Sequence, residues 1–461
     1  MISSELAGGD CLNVGCVPSK ALIRVSRMIR EVRLARNRPD EFGIRFPSPD
    51  DDIEIDFPTI MKRMRKLRAK IAPIDGHERG KDIGVRVLQG YGRFRDENTI
   101  EVMGEKDTIT NTLKFKKAVI ATGGRASIPN DITGLDQVPY MTHVTLFNLS
   151  TLPKHMVIIG SGVIALEMAQ TFATFGSKVT VLVRKNQLFP YNDPQIGQTI
   201  QSILSDDSNK INFLTNAKVT QVQNLPNKQD IEDALPWIQV SVKTKKEDGE
   251  EEIINLESDC LLVATGRTAN VQGLQLDKAN VEYDKTKGII VNDLAQSTSN
   301  PNVYSVGDCT ADVPRLTHMS GEMAKVVVQN ALFDDEWKLS SLVVPSCMYT
   351  EPEYASVGDI SGDPEKVDIF STSLEHNDRA ILDGDTHGLV KIYCQKNSGL
   401  IVGAAVIASR AGEMINEITL AMKHNLTLQN IGRNIHCYPT TGEAIMSCGI
   451  QLINSKWKTL S

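Results

Sequence analysis

The residues best suited to chemistry in this chain are two cysteines near its start, Cys11 and Cys16, within the stretch GGDCLNVGCVPSK. Five positions of ideal helix span about 7.5 Å, whereas disulfide-bonded Cα atoms usually lie about 4.4 to 6.8 Å apart, so a bond between them requires a bend. Gly15 permits the bend, and Pro18 suits the first turn of a following helix. Cys16 then lies at a helix N-terminus, where the dipole favours a thiolate. The spacing alone leaves open a redox pair, a structural disulfide and two unpaired thiols.

The composition is typical of a globular, soluble protein of two to four domains. The chain has 461 residues, 41% of them hydrophobic, and a formal net charge of −7. This balance gives no reason to expect nucleic acid or a membrane as a partner. Eight cysteines are too few for a disulfide scaffold, so we expect a reducing compartment, with the cytoplasm as the default for an otherwise unknown localisation. No apolar run approaches the ~20 residues of a membrane span.

After the cysteines the sequence predicts supporting elements. Residues 21–34 are compatible with a helix, 39–58 with a Pro- and Asp-rich loop, and 85–115 with a small antiparallel sheet. Residues 59–71 (TIMKRMRKLRAKI) have apolar positions at spacings of four, three and four. We interpret them as an amphipathic helix with a solvated basic face, and a nucleic-acid-binding helix is the less favoured alternative.

A dinucleotide-binding unit begins near residue 155. An apolar strand (MVII) leads into Gly160-Ser161-Gly162-Val163-Ile164-Ala165, a helix continues to residue 175, and KVTVLV forms the next strand. This order supplies the context that a lone glycine motif lacks, with the pyrophosphate expected at the helix N-terminus. The acid that would bind the ribose of NAD is replaced by Arg184. A positive charge there suits the 2′-phosphate of NADP, so we expect NADPH, with NADH as the less favoured alternative.

Two other strands end in glycine turns, residues 117–124 (KAVIATGG) and 259–267 (DCLLVATGR). Such turns let a cofactor approach the backbone closely. A third strand, 302–308, ends in Gly307-Asp308, and a helix is expected over 317–332. Short strands after residue 341, a helix over 413–424 and a final segment, 434–453, predict a separate α+β domain.

With these pieces in order, the sequence resembles the flavin-dependent pyridine nucleotide-disulfide oxidoreductases, the group that contains glutathione reductase, dihydrolipoyl dehydrogenase and mercuric reductase. The resemblance runs from residue 8 to about residue 450 and rests on GGDCLNVGCVPSK, GSGVIALE, ATGR, VYSVGD and YPTTGE. Within the group the chain is similar in particular to the mercuric-reductase-like branch.

The resemblance implies an α/β fold class with two Rossmann-like nucleotide-binding domains and a C-terminal α+β dimerisation domain. Residues 1–150 would form the first part of the FAD-binding domain, 151–275 an inserted NAD(P)-binding domain, 276–340 the second part of the FAD-binding domain, and 341–461 the dimerisation domain.

The resemblance also implies residue roles. Cys16 would be the flavin-proximal thiolate and Cys11 the thiol that attacks the substrate, while Lys20 would lie near the flavin in an ion pair with Glu167. Electrons would pass from NADPH through FAD to the Cys11/Cys16 disulfide, and no resident metal site is expected. The residues expected to bind the cofactors are Lys20, Thr122, Gly123, Gly160, Gly162, Glu167, Arg184, Gly266, Asp308 and His318.

The segment HCYPTTGE departs from the H-P-T-x-x-E pattern of the disulfide reductases. Tyr438 takes the histidine position, and tyrosine, with a reference pKa near 10, is a poor base at neutral pH. Mercuric reductases also have tyrosine there. The resemblance implies a homodimer in which Tyr438, Glu443 and, as an alternative, His436 complete the other subunit's active site; His436 as an interface histidine is the opposing interpretation. Cys437 and Cys448 are expected in the core.

The family's first FAD-binding unit, a strand, a G-x-G-x-x-G turn, a helix and a strand of ~30 residues, does not precede the cysteines. We therefore expect a fragment with an incomplete FAD-binding domain, which would purify flavin-poor. The expected function is an FAD-dependent NAD(P)H oxidoreductase acting on a disulfide or a soft metal ion such as Hg(II), contributing to cell redox homeostasis. The alternatives are a dihydrolipoyl-dehydrogenase-like enzyme, against which Arg184 and Tyr438 count, and an FAD-deficient, non-catalytic homodimer.

Overall fold

A break between a short helix and a long one separates the two cysteines. The fold is taken from a computed structural model that describes residues 1–46, 53–206, 210–225, 236–245, 249–333 and 335–458. Helix α1 (Gly9–Val14) carries Cys11, and helix α2 (Cys16–Asn37) begins at Cys16. The chain bends at Gly15, where a Cβ atom would lie 2.8 Å from the Asp10 carbonyl oxygen. The predicted bend and the predicted helix N-terminus at Cys16 are both confirmed.

Helix α2 packs against α4 (Phe57–Asp75) and α7 (Val163–Phe175) in the largest apolar core. The ring of Phe57 lies 6.0 Å from Phe172 and 6.1 Å from Phe175, measured between centroids. One face of α4 is buried in this core and its lysines are exposed, which confirms the predicted amphipathic helix. Its basic face is not wholly solvated, because Arg63, Arg65 and Arg68 donate to backbone carbonyls of neighbouring segments. The loop predicted over 39–58 is partly wrong: a short helix, α3 (Pro39–Phe42), follows α2, and α4 starts at Phe57, while 47–52 lie outside the described residues.

The predicted dinucleotide unit forms a parallel sheet with strand order β10-β9-β8-β14. A three-stranded antiparallel sheet, β11-β12-β13, lies between β10 and β14 in the sequence. Residues 226–235 and 246–248 lie outside the described residues. The elements are β8 (His155–Ile159), β9 (Lys178–Leu182), α8 (Pro194–Leu204), β10 (Ile211–Leu214), β11 (Lys218–Asn224), β12 (Ile238–Lys245), β13 (Glu251–Ser258) and β14 (Cys260–Val263).

The two glycine-ended strands lead into a shared ladder. Strand β7 (Gly124–Ala126) follows the first turn and pairs antiparallel with β15 (Arg267–Ala269), which follows the second. Strand β6 (Ala118–Ile120) pairs parallel with β18 (Val303–Ser305), so the turn at Gly307-Asp308 lies at the same edge. This pairing brings three separate sequence motifs together.

The antiparallel sheet predicted over 85–115 is confirmed for β3-β4-β5, but β2 instead pairs parallel with β1. The remaining elements of this half are β1 (Ile2–Ser3), α5 (His77–Asp82), β2 (Leu88–Gln89), β3 (Tyr91–Asp96), β4 (Thr99–Met103), β5 (Ile109–Lys114), α6 (His143–Leu146), β16 (Tyr283–Asp284), β17 (Gly288–Ile289) and α9 (Thr317–Leu332).

The C-terminal region is an antiparallel sheet of order β19-β20-β23-β22-β21 with helices on one face, which confirms the predicted α+β arrangement. Side chains alternate along its strands: Val390 and Ile392 pack towards the helices, whereas Tyr393 faces the large core. Cys448 is buried as expected, but Cys437 is exposed, because it lies in the irregular segment between α12 and α13. The elements are β19 (Ser346–Met348), β20 (Glu353–Gly358), β21 (Val367–Ser373), α10 (Asp378–Asp383), β22 (Leu389–Gln395), β23 (Ile401–Ala408), α11 (Ala411–Lys423), α12 (Leu428–Gly432) and α13 (Glu443–Lys458).

None of the helices within the described ranges combines the length and the apolar character that a membrane crossing needs.

Candidate active site

The two cysteines are free thiols whose interaction moves their pKa values in opposite directions. Hydrogen bonds from Cys11 and from Thr317, whose Oγ1 lies 3.4 Å from Cys16 Sγ, outweigh burial and lower the pKa of Cys16 to about 5. The charge on Cys16 and the burial of Cys11 raise the pKa of Cys11 far above its usual value. Cys16 is therefore the thiolate that its place at the helix N-terminus predicts, with Cys11 as its proton-bearing partner.

Lys20 and Glu167 form the ion pair that the resemblance predicts. Lys20 Nζ lies 3.0 and 2.9 Å from the two carboxylate oxygens of Glu167, which is only 3% exposed. Glu167 Oε1 also accepts the Tyr349 backbone N–H at 3.0 Å, and Lys20 Nζ lies 4.5 Å from the centroid of the Tyr349 ring. The positive charge of Lys20 helps to lower the pKa of Cys16. The role of this pair towards a flavin stays a prediction.

Arg267, at the start of β15, joins residues from several motifs. Its Nε donates to Asp308 Oδ2 at 2.9 Å, one Nη donates to Asp10 Oδ2 and, at 3.0 Å, to the Gly124 carbonyl, and the other Nη lies 2.8 Å from His143 Nε2. Burial raises the pKa of Asp10, but its contacts with His143 and Arg267 outweigh this and hold the pKa below its usual value. The guanidinium thereby fixes the Asp308 turn relative to the helix that carries Cys11.

The glycine turn after β8 leaves backbone N–H groups accessible at the start of α7. Gly160 has a φ of +115°, and a Cβ there would lie 2.4 Å from the Ala264 carbonyl oxygen, so only glycine fits. Gly162 precedes α7, and no atom lies within 4 Å of the position that its Cβ would take. Arg184 is exposed two residues after β9, the neighbouring strand. These residues fit a dinucleotide phosphate, and their roles stay predictions.

A second stretch of open backbone lies at the motifs that Arg267 joins. Gly9, Gly123 and Gly266 all have positive φ, and no atom lies within 4 Å of their Cβ positions. Asp308 Oδ1 has no hydrogen-bond partner in the part of the chain that the structure describes, while Thr122 Oγ1 donates to the Asn270 carbonyl at 2.6 Å. Open glycines beside an available carboxylate oxygen fit a hydroxyl-bearing nucleotide cofactor such as FAD.

Comparison with known proteins agrees with this geometry. Residues 1–324 match the family model described as pyridine nucleotide-disulphide oxidoreductase, and residues 344–448 match the dimerisation domain of the same family. The chain belongs to this family. The predicted family and fold are thus confirmed: this family member is a flavoprotein oxidoreductase of the disulfide reductase type, relatives use FAD and pyridine nucleotides, and the dimerisation domain indicates a homodimer. The four domain boundaries stay predictions.

The relatives include enzymes of two activities. A mercuric reductase from Shigella flexneri is 31% identical over all of this chain and 77% of its own length, and a mercuric reductase from Lysinibacillus sphaericus is 29% identical over 99% and 79%. A dihydrolipoyl dehydrogenase from Bacillus subtilis is 28% identical over 99% and 91%. The crystal structure of LpdA from Mycobacterium tuberculosis has a TM-score of 0.82 at 22% identity, covering 98% of this family member and 93% of LpdA, which shows the fold alone.

The C-terminal candidates do not meet the dithiol within one chain. Tyr438 is 73% exposed and donates to Asp378 Oδ2 at 3.0 Å, a hydrogen bond that raises the pKa of Tyr438. His436 Nε2 lies 2.9 Å from Glu417 Oε1, and Glu443 accepts the Thr440 backbone N–H at 3.0 Å. Within the described ranges, Tyr438, His436 and Glu443 form no hydrogen bond with the cysteines or with Lys20. Their catalytic roles therefore stay predictions that depend on the partner subunit.

Several site residues were not predicted as such. Asp10 and Arg267 had a detectable signal, because a charge stands directly before Cys11 and another closes the second glycine turn. Thr317 and Tyr349 had no detectable signal in the sequence, because each contacts a site residue that is far away along the chain. His318, the predicted cofactor residue next to Thr317, has its Nε2 2.7 Å from the Pro345 carbonyl oxygen, and its role towards a cofactor stays a prediction.

The lowered pKa of Cys16 predicts how fast it reacts at different pH values. Alkylation by iodoacetamide should rise through about pH 5 and level off by about pH 7, because only the thiolate reacts. Stopped samples would be analysed by mass spectrometry that separates Cys11 from Cys16. Thr317→Val should move the midpoint upwards by about one pH unit, since a hydrogen bond to a charged group is lost, whereas Thr317→Ser should not. A wild-type midpoint near 8.5 would contradict the assignment of the thiolate.

Proposed function

We propose that this chain is an FAD-dependent reductase that takes electrons from NADPH and delivers them through Cys11 and Cys16 to a disulfide or a soft metal ion. The observation that carries the proposal is the position of Cys16, which begins helix α2 with its Sγ 3.4 Å from Thr317 Oγ1 and with the Lys20–Glu167 ion pair one helical turn away, a setting that lowers its pKa. The Cys11/Cys16 pair is suited to reversible oxidation to a disulfide.

The dithiol accounts for the electrons and atoms of disulfide reduction. Cys11 would first pass its proton to the Cys16 thiolate and attack the substrate as a thiolate, so that the substrate S–S bond breaks, a mixed disulfide forms and the first thiolate leaves. Cys16 would then give that proton to the first leaving group, displace the second thiolate and form the Cys11–Cys16 bond. Two electrons leave the cysteines, one product takes the single proton of the pair, and the second product takes its proton from water. Bound FAD would supply two-electron transfer from NADPH back to that bond. The residues that would hold the flavin are Lys20, Glu167, Thr122, Gly123, Gly266 and Asp308. The nucleotide would be held by Gly160, Gly162 and Arg184. His318 lies beside Thr317 at the start of α9, where it would also border the cofactor.

Two substrate classes fit this chemistry. Thiolates are suitable ligands for a soft ion such as Hg(II), and mercuric reductases are among the relatives. Within the described ranges no group of three or more His, Cys, Asp or Glu side chains is placed to hold a resident metal, so Hg(II) enters here as a substrate. A dihydrolipoyl-dehydrogenase-like activity is the second candidate, favoured by the relative from Bacillus subtilis. Arg184 and Tyr438 count against it.

Parallel assays separate these candidates. Purified protein, with its FAD content and subunit number measured, would be given NADPH or NADH with Hg(II), glutathione disulfide or lipoamide. We expect NADPH to be preferred, and Arg184→Gln to raise the KM for NADPH about tenfold with little change for NADH, because a charge-assisted contact to the 2′-phosphate is lost.

Fast lipoamide turnover with NADH would contradict the mercuric-reductase-like proposal. A dimer that stays inactive with every substrate, even when FAD is added in excess, would instead support the non-catalytic homodimer.

A further inference from the structure

A buried ion pair joins the dinucleotide unit to the C-terminal sheet. Asp193 ends the segment of residues 184–193, which lies between β9 and α8, and Lys391 lies in β22. Lys391 Nζ is 2.6 Å from Asp193 Oδ2, and the two residues are 8% and 6% exposed. Two opposite charges that water hardly reaches therefore connect regions that are far apart in the sequence.

Further hydrogen bonds fix the geometry of this ion pair. Asp193 Oδ1 accepts the Gln195 backbone N–H at 3.0 Å and so caps α8, and Oδ2 also accepts the Tyr393 hydroxyl at 3.1 Å. Burial and the charge of Asp193 raise the pKa of Tyr393, so this hydroxyl stays protonated and donates. Lys391 Nζ donates a second time, to Gln195 Oε1 at 2.8 Å. With these partners the buried charges hold one arrangement of the two regions, because any other arrangement would leave a charge unpaired.

Other contacts of the same segment also reach the C-terminal sheet. Asn192 Nδ2 donates to the Tyr354 hydroxyl at 3.0 Å, and the Phe189 ring lies 5.2 Å from the Tyr354 ring, measured between centroids. The Asp193 backbone N–H donates to the Ile360 carbonyl at 2.9 Å. The second half of the segment is therefore held by the dimerisation domain.

The first half of the segment carries two exposed cations, Arg184 and Lys185. The Lys185 carbonyl accepts the Asn216 backbone N–H at 2.9 Å, which fixes this end to the dinucleotide unit. In the part of the chain that the structure describes, neither cationic side chain has a hydrogen-bond or ion-pair partner, so both are available to a phosphate. The segment thus carries available cations at one end and the buried ion pair at the other.

We propose that the Asp193–Lys391 ion pair positions Arg184 for the 2′-phosphate of NADPH, so that the dimerisation domain helps to set the preference for NADPH over NADH. Asp193 and Lys391 are positioning residues here, because they lie at the far end of the segment and act through it. The inference rests on the proposed function and adds a residue pair that determines its nucleotide specificity.

The physical reason is the directionality of the contact between a guanidinium and a phosphate. Such hydrogen bonds weaken steeply when the donor moves out of line with the acceptor. A segment released at Asp193 would sample more positions of Arg184, and fewer of them would meet the phosphate. The glycine turn at Gly160 lies outside this segment, so contacts made there would be kept.

Nucleotide binding tests this inference without any turnover. NADP⁺ and NAD⁺, which differ only in the 2′-phosphate, would be titrated into the purified protein in the presence of excess FAD, with calorimetry as the readout. Lys391→Met should raise the Kd for NADP⁺ by about fivefold and change that for NAD⁺ by less than about twofold, because only NADP⁺ uses the positioned cation. The double variant Asp193→Asn/Lys391→Met leaves no buried charge unpaired, so it tests the same loss even where Lys391→Met folds poorly.

Arg184→Gln shows whether the effect passes through the proposed contact. In this background Lys391→Met should weaken NADP⁺ binding by less than about twofold, because the group that the ion pair positions is already gone. An equal loss in both backgrounds would overturn the inference, since the ion pair would then act on the whole domain and not through Arg184.

Lys396→Met is the matched control variant. Lys396 follows β22 and forms an ion pair with Asp368 at 3.3 Å, in which the two side chains are 47% and 30% exposed. Its loss should leave the Kd for NADP⁺ within about twofold of the wild type, because exposed ion pairs contribute little. A loss equal to that of Lys391→Met would also overturn the inference.

Hydrogen exchange separates this inference from the proposed function. Lys391→Met should speed amide exchange in residues 184–193 by about fivefold, because one end of the segment is released. Unchanged exchange there would overturn the inference alone. A wild type that binds NADP⁺ no more tightly than NAD⁺ would count against the NADPH preference of the proposed function, and the exchange rates would still decide whether the ion pair holds the segment.

Discussion

Replacing Cys16 by serine is expected to lower NADPH-dependent reduction of disulfides or of a soft metal ion by about 10³-fold or more. The lowered pKa of Cys16, caused by hydrogen bonds from Cys11 and Thr317, favours its thiolate form at pH 7. Serine supplies neither the thiolate nor a partner for the disulfide with Cys11. The measurement is kcat/KM for the best substrate found in the parallel assays, with FAD content and far-ultraviolet circular dichroism measured alongside.

Two matched variants show whether the loss belongs to the dithiol. Cys11→Ser should lose activity to a similar extent, because the disulfide needs both sulfurs. Cys394→Ala removes a buried thiol of β22 that packs in the C-terminal core, so activity per folded dimer should stay within about twofold. Full activity in Cys16→Ser would mean that the dithiol mechanism is wrong.

The parts of the fold that could be predicted are those that local chemistry determines. The break at Gly15, the amphipathic α4 and the strand, turn and helix around Gly160 each follow from periodicity or from a conformation that favours glycine. Strand β21 lacked such a strong pattern and was not predicted. Cys437 was expected in the core because free cysteine is usually buried, yet its position between two helices leaves it exposed.

The active site was predictable where one short motif carries it and not where distant segments meet. The Lys20–Glu167 pair followed from the family resemblance, although 147 positions separate the two residues. Thr317 contacts Cys16 across 301 positions, and a threonine that begins a helix has no sequence feature that indicates a thiolate partner. The surroundings of Cys16 also depend on segments that are distant in the sequence. Helix patterns predicted a basic face on α4, but only the packing of α2 against α4 places Arg24 and Arg63 in the cavity that Cys16 also lines.

Arg267 shows how one side chain can hold motifs that lie far apart. Its guanidinium is 17% exposed and binds two carboxylates, Asp10 and Asp308, from segments almost 300 residues apart. Asp10 stands directly before Cys11, and Asp308 closes the VYSVGD turn that the resemblance assigns to the flavin. The redox helix and the expected cofactor turn are therefore positioned by the same cation, so its loss should affect stability and cofactor binding together.

Arg267→Met is expected to lower the free energy of unfolding by about 2 to 3 kcal/mol, because it leaves Asp308, which is 17% exposed, without its cation, while Asp10, which is 43% exposed, stays partly hydrated. Chemical denaturation of the dimer at fixed protein concentration would measure the loss. The contact lowers the pKa of Asp10 in the folded protein, so its stabilisation is present above the unfolded value of about 3.9 and is lost as pH falls through the folded value. The difference between variant and wild type should therefore shrink below about pH 4.

The control for this prediction removes the charge of the two carboxylates that Arg267→Met leaves without a cation. Asp10→Asn and Asp308→Asn, added to Arg267→Met, should recover part of the lost stability, because neutral amides cost less to leave unpaired than carboxylates do. Arg379→Met is the control arginine variant: Arg379 binds one carboxylate, Asp383, at 2.7 Å, and the two side chains are 42% and 45% exposed, so its loss should cost about 1 kcal/mol or less. If Arg267→Met cost no more than Arg379→Met, the motifs around Asp10 and Asp308 would be held together by their backbone pairing and not by this guanidinium.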